Sequence, residues 1–150
     1  MEEVLSCFNE RGIRYVVIGG QAVRLWGVPR FSMDWDLLIP PRDTGNIAAI
    51  NSVLRDELDV PLEPLGPRGE GFVQTYQTRW GIIQFHLGGP GLPEFEVASG
   101  KAAFRETESG VPVPCLDIES LVASKRKANR PQDIQDVEYL EALGRLKTGD

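Results

Sequence analysis

Apolar positions along the chain alternate between short β-type runs and helical stripes. Val4, Leu5 and Phe8 lie at helical spacing, and Gly12 falls where the residue after a helix belongs. The run Arg14-Tyr15-Val16-Val17-Ile18 is apolar, rich in β-branched residues and closed by Gly19-Gly20, which predicts a buried strand. From Gln21 to Trp26 the spacing turns helical, and Gly27 with Pro29 stops it. Trp35, Leu37, Leu38 and Ile39 form a second apolar run, closed by Pro40-Pro41. A helix is then predicted from Asp43 to Leu58, with Ile47, Ile50, Val53 and Leu54 as its stripe.

Pro61, Pro64 and Pro67 with Gly66 and Gly69 predict an irregular loop. Two strands follow, Phe72 to Thr78 and Trp80 to Leu87, joined by a tight turn near Arg79. Gly88-Gly89-Pro90-Gly91 breaks the pattern, and Glu94 to Phe104 reads as a short helix or irregular turn. Val111 to Cys115 is a short extended piece whose prolines suit an edge position. Asp117 is placed to cap a helix carrying Ile118, Leu121 and Val122, which Asn129 and Pro131 interrupt. A last helix carries Ile134, Val137, Leu140 and Leu143. Strands mixed with helices, the later strand pair antiparallel, predict an α+β fold: a small mixed sheet flanked by helices, with two helices at the C-terminal end.

Composition narrows this little. The 150 residues suffice for one domain, residues 1–150, with a proper core. No apolar run approaches the roughly 20 residues that span a membrane, and the acidic start Met1-Glu2-Glu3 is unlike an export signal, so a cytoplasmic protein is expected. Cys7 and Cys115 stand apart without metal-type spacing and read as small buried thiols. The net charge of −6 argues against broad nucleic-acid binding. Lys125, Arg126, Lys127 and Arg130 nevertheless cluster, either as a solvated helix face or as a patch that meets phosphates.

The candidate chemistry lies between residues 18 and 36. Alternation along a strand points Asp34 and Asp36 the same way. Two like charges side by side repel unless a cation lies between them or one is protonated. On an arbitrary surface strand such a pair is ordinarily two solvated carboxylates. Here it follows a glycine turn opening a helix, where backbone N–H groups favour anions. A divalent cation shared with phosphate oxygens fits that arrangement, Mg²⁺ or Mn²⁺ above all.

These residues resemble the minimal nucleotidyltransferases of the DNA polymerase β superfamily. That family's pattern is a glycine turn after a strand, a helix, two acidic residues one apart on the next strand, and a third carboxylate on a later strand. Gly19-Gly20 and Asp34-Trp35-Asp36-Leu37 fit it, with Arg30 and Ser32 just ahead of the pair. The resemblance is closest to small bacterial proteins related to abortive-infection toxins and antibiotic nucleotidyltransferases. There a helix ends in a lysine and a segment R-P-x-D-x-x-D follows, matched by Lys125 and by Arg130 to Asp136.

The resemblance implies transfer of a nucleotidyl group from an NTP to an acceptor (a small hydroxylated molecule, a tRNA end or a protein side chain), with Asp34 and Asp36 holding metal. It also implies triphosphate contacts from Gly19, Gly20, Arg30 and Lys125. Ser32 either touches phosphate or makes a local hydrogen bond at the start of its strand. Asp133 and Asp136 fall three apart on one helix face, and Asp133 is expected to be a structural partner or a helix N-terminal charge before a metal ligand.

The third carboxylate is where the pattern departs, because its position aligns with Gln84, an amide that cannot accept the proton of an attacking hydroxyl. His86 shares that face and is either a substitute base or an ordinary half-exposed strand residue. Glu94 and Glu96 follow as possible carboxylates from the loop. Two functions stay open: an active nucleotidyltransferase, or a nucleotide- or partner-binding module such as a toxin–antitoxin component. A minimal fold of this kind is expected to complete its cleft with a second subunit or a partner protein.

Overall fold

A computed structural model describes residues 1–148, which form six helices and one six-stranded sheet. Helix α1 (Glu2–Glu10) buries Val4, Leu5 and Phe8 as the stripe requires. Strand β1 (Val16–Ile18) is buried throughout and runs directly into α2 (Gly19–Leu25), so the helix begins on the glycines themselves. Strand β2 (Trp35–Leu38) returns antiparallel to β1, and α3 (Thr44–Val53) follows with Asp43 capping its start. The antiparallel pair β3 (Val73–Thr78) and β4 (Gly81–His86) comes next. The remaining elements are α4 (Phe95–Lys101), β5 (Ala103–Glu106), β6 (Pro112–Cys115), α5 (Ile118–Ala128) and α6 (Pro131–Thr148).

The sheet order is β3-β4-β2-β1-β6-β5, with β2/β4 and β1/β6 parallel and the other pairs antiparallel. This is the expected mixed α+β sheet. Its core joins strand residues Val16, Val17, Leu37, Leu38, Ile83 and Phe85 to helix residues such as Leu5, Phe8, Ile50 and Leu121. Phe8 and Tyr15 pack edge to face at 5.6 Å between ring centroids.

Three elements depart from the sequence expectation. Helix α3 stops at Val53, short of Leu58, because Asp56 and Glu57 would place negative charge at its C-terminal end. Glu57 instead receives the backbone N–H and guanidinium of Arg79, and these hydrogen bonds, the backbone one first, hold its carboxyl below the usual range. A strand, β5, lies where helix or irregular turn was expected to continue. Its alternation is hidden by a 72 % exposed Phe104 between the small Ala103 and the half-buried Arg105.

The prolines of β6 do not mark an edge; β6 lies between β1 and β5. Leu116 N donates to Val17 O, so even-numbered positions turn their backbone groups toward β1. Pro112 and Pro114 lie on that same side, where β1 and β6 share the single register pair Val17↔Cys115. The missing donors therefore cost almost no ladder hydrogen bond. Among the described residues no helix is long and apolar enough to cross a membrane. Cys115 is fully buried and burial pushes its thiol up to about 12; Cys7 is only half-buried, and both are free.

Candidate active site

The β1–α2 turn, the start of β2, the end of β4 and the facing sides of α5 and α6 enclose a cleft of about 720 Å³. Register fixes what meets there. Asp36 stands opposite Ile18 of β1 on one side and Gln84 of β4 on the other. Asp34 lies one residue before β2, exposed at the mouth, and both carboxylates line the cleft.

The glycines are required by close approach. Gly19 has a φ of +69°, and a Cβ there would sit 2.6 Å from Asp36 Oδ2. A Cβ on Gly20 would sit 2.7 Å from Ser32 Oγ and 3.3 Å from Arg30 Cζ. The turn is thus packed under Asp36 and under the arginine that precedes the acidic pair. Ser32 Oγ donates to Asp34 O at 3.4 Å, the local bond at the start of the strand. Gln21 Nε2 donates to Ser32 O at 2.8 Å and ties α2 to that segment.

On β4, Gln84 occupies the position directly beside Asp36, as the alignment of the motif requires. His86 is no ordinary half-exposed strand residue: its side chain is 16 % exposed and its Nε2 lies 2.8 Å from Asp36 Oδ1. Glu94 and Glu96 do not rescue the missing carboxylate. Glu94 precedes α4, Glu96 pairs with Arg14, and neither lines the cleft.

The basic cluster divides. Arg126 points away to Glu141, whereas Lys125, Lys127 and Arg130 line the cleft. Lys125 is neither solvated nor free for phosphate: it is 7 % exposed, with Nζ 3.3 Å from Asp133 and 3.4 Å from Asp136. Asp136 also receives Arg30 Nη1 and, at 3.0 Å, Gln132 Nε2. Asp133 receives Arg130 Nε at 2.8 Å and the Arg130 backbone N–H at 3.0 Å.

The R-P-x-D-x-x-D segment therefore builds a charge network in which two buried carboxylates hold Arg30, the buried Lys125 and the largely exposed Arg130 at the cleft wall. The spacing placed both aspartates on one helix face; it carried no sign of Arg30 as their far partner. Burial pushes the Asp133 carboxyl up, but the Arg130 hydrogen bonds and the charges of Lys125 and Arg130 outweigh it and leave it below the usual range. The Asp133 carboxylate in turn raises Arg130. Three cations against two anions leave a surplus positive charge facing the cleft.

Metal fit follows from the same geometry. Among the described residues no three His, Cys, Asp or Glu side chains gather closely enough to enclose an ion. Mg²⁺-type sites commonly use one or two carboxylates and complete the shell with water and substrate phosphates. The exposed Asp34 and the cleft-facing Asp36, whose Oδ2 is packed over the glycine turn, fit a cation that arrives with a nucleotide.

The architecture is a nucleotidyltransferase fold, and solved structures of nucleotidyltransferases superpose on nearly the whole chain. One is the lincosamide antibiotic adenylyltransferase LnuA bound to lincomycin, with a TM-score of 0.60, 18% identity, and 94% of each chain covered. A second is ANT(2″)-Ia with adenylyl-2″-tobramycin, with a TM-score of 0.57, 19% identity, and 93% of this chain and 90% of that one covered. A third is a candidate nucleotidyltransferase from Thermotoga maritima, with a TM-score of 0.58, 16% identity, and 99% and 90% covered. No family model and no curated sequence matches the chain.

Proposed function

We propose that the protein transfers a nucleotidyl group from an NTP to the hydroxyl of a small acceptor, with the metal-bound triphosphate in the cleft between Gly19-Gly20 and α5. The observation that carries this reading is the packing of Asp36 directly over the positive-φ Gly19, with Arg30 over Gly20. It brings a carboxylate, a bare backbone turn and a cation to one point. A divalent ion held by Asp34 and Asp36 supplies charge neutralisation for the attacking and leaving oxygens.

The chain's own residues do the rest. The Gly19-Gly20 backbone lets phosphate approach without a side chain in the way. Arg30 and Arg130, fixed by Asp136 and Asp133, present positive charge along the triphosphate. Lys125 contributes through the field of the network, as a strut between two carboxylates. Gln84 orients the acceptor hydroxyl by hydrogen bonding. The acceptor oxygen bonds to the α-phosphorus as the bond to the β-phosphate oxygen breaks and pyrophosphate leaves. The acceptor proton passes to water at the open mouth, since Gln84 cannot take it and His86 Nε2 is committed to Asp36. The structures of LnuA with lincomycin and of ANT(2″)-Ia with adenylyl-2″-tobramycin support a small-molecule acceptor.

A second reading rests on the same Gln84: a pocket that binds NTP with its cation but turns over poorly, as in a component of a toxin–antitoxin pair. One experiment separates the two. Protein incubated with each α-labelled NTP, Mg²⁺ or Mn²⁺ and a small-molecule extract should label an acceptor, and Asp34→Asn should abolish the label. Nucleotide binding without label under any of these conditions selects the second reading.

A further inference from the structure

The proposed nucleotidyl transfer leaves one wall of the cleft without a task. In the sheet order β3-β4-β2-β1, the glycine turn after β1 and Phe72, just before β3, lie on opposite sides of the Asp36–Gln84 pair. With the triphosphate on the β1 side, the acceptor enters from the β3 side. There it meets Phe72 and the loop that follows β4, Gly88 to Leu92, all of them cleft-facing except Gly91.

We propose that this wall selects acceptors that offer an apolar ring face and carry no ammonium group, with Phe72 as the platform for the ring and Lys127 as the charge that turns cations away. The inference rests on the nucleotidyl-transfer reading and names the acceptor class for it.

The wall is held in place before any acceptor arrives. Phe72 O accepts from Leu87 N at 2.7 Å, so the ring is anchored to the end of β4. Gly89 lies flat against that ring: a Cβ there would sit 3.6 Å from Phe72 Cδ2 and 3.9 Å from Leu92 Cδ1. At the other end of the loop, Gly91 packs on the stem of Lys127, where a Cβ would sit 3.0 Å from the lysine Cβ and Cγ. Phe72 is 47 % exposed even so, and with Pro90 and Leu92 it turns apolar surface into the cleft. A fixed aromatic face of this kind suits a ring or another flat apolar surface.

Charge decides the other half of the specificity. The carboxylates lining the cleft, among the described residues, are Asp34, Asp36 and Asp133. The proposed reaction commits the first two to its cation. Asp133 is 1 % exposed and answers Lys125 and Arg130. None remains beside Phe72 to receive an ammonium. Lys127 is exposed at that wall and has no ion-pair partner among the described residues. An amine brought there would lose water and face a like charge with no opposite one in reach. A polycationic amino sugar is thereby disfavoured, and a neutral or anionic alcohol is accepted.

The test divides a small-molecule extract on a cation exchanger at neutral pH into a retained pool, which holds the amines, and an unretained pool. Each pool is incubated with the protein, α-labelled NTP and Mg²⁺ or Mn²⁺. Label should form in the unretained pool, roughly tenfold or more above the retained one. Phe72→Ala should raise the amount of that pool needed for half-maximal labelling roughly fivefold or more. Its affinity for a non-hydrolysable NTP with Mn²⁺ should stay within about twofold of wild type. Lys127→Glu should shift the ratio of label toward the retained pool by roughly fivefold or more. Because this readout is a ratio within one protein sample, it does not depend on how much of the variant folds.

Label mainly in the retained pool, or an unchanged ratio in Lys127→Glu, overturns the inference and leaves nucleotidyl transfer intact. Weakened nucleotide binding with unchanged acceptor dependence in Phe72→Ala also overturns it, because the ring would then serve the nucleobase. Label in neither pool overturns the transfer itself and the acceptor class with it.

Discussion

Asp136 is wholly buried and holds Lys125, Arg30 and Gln132 at once, so its charge is compensated from three directions. Removing one member of such a network leaves buried cations without an answering charge, which typically costs about 3 kcal/mol or more. Asp136→Asn should lower the free energy of unfolding in urea by about that amount; a loss under about 1 kcal/mol would show that the network contributes little to stability. Acid reports its neighbour. The folded Asp133 carboxyl lies below its ordinary value of 3.8. The stability it contributes is complete above that value and lost as pH falls through the lower folded one. Urea midpoints should fall in acid below about pH 4, and less steeply in Asp133→Asn than in wild type; equal slopes would contradict the assignment. At the proposed catalytic position, Gln84→Asp should raise metal-dependent labelling, and an unchanged or lower rate would show that Gln84 is not the third position. Glycine spacing, the acidic pair and the position of Gln84 were legible because each follows from strand alternation and register. The Arg30–Asp136 bond was not, since it joins residues 106 apart in the chain.

Individual elements show where local pattern suffices and where tertiary context decides. Helices α1 and α5 and strands β1 to β4 follow their apolar periodicity closely, because each buries a stripe or run against the core. In α6 the stripe holds only in part: Leu140 is buried, but Ile134 is 54 % exposed because Asp133 and Asp136 take the inward face of the first turns. Strand β5 escaped, because its contribution is made by Arg105 more than by apolar burial. The Arg105 guanidinium lies 4.8 Å from the centre of the Trp26 ring, and its Nε donates to Leu25 O at 3.1 Å, fastening the outer strand to the end of α2. Arg105→Ala should cost about 1–2 kcal/mol of stability, from a cation–π contact and a charged hydrogen bond together. Hydrogen exchange should speed selectively in β5 and β6; uniform change across the sheet would argue against so local a role. The β6 prolines were misplaced at an edge for a related reason: sequence records the missing N–H groups but not which neighbour they face.

Taken as a whole, the molecule splits its cleft between two supports. The sheet supplies Asp34, Asp36, Gln84 and His86, and the α5–α6 pair supplies the cations, so the site exists only when the helices dock on the sheet. The central claim is that the acidic pair grips a cation whose triphosphate rests on the glycine turn. Calorimetric titration of wild type, Asp34→Asn and Asp36→Asn with Mn²⁺ and a non-hydrolysable NTP tests it most directly. Saturable one-to-one binding in wild type, weakened roughly tenfold or more in each variant, is the predicted result. Equal binding in all three proteins, or none in wild type, would contradict it.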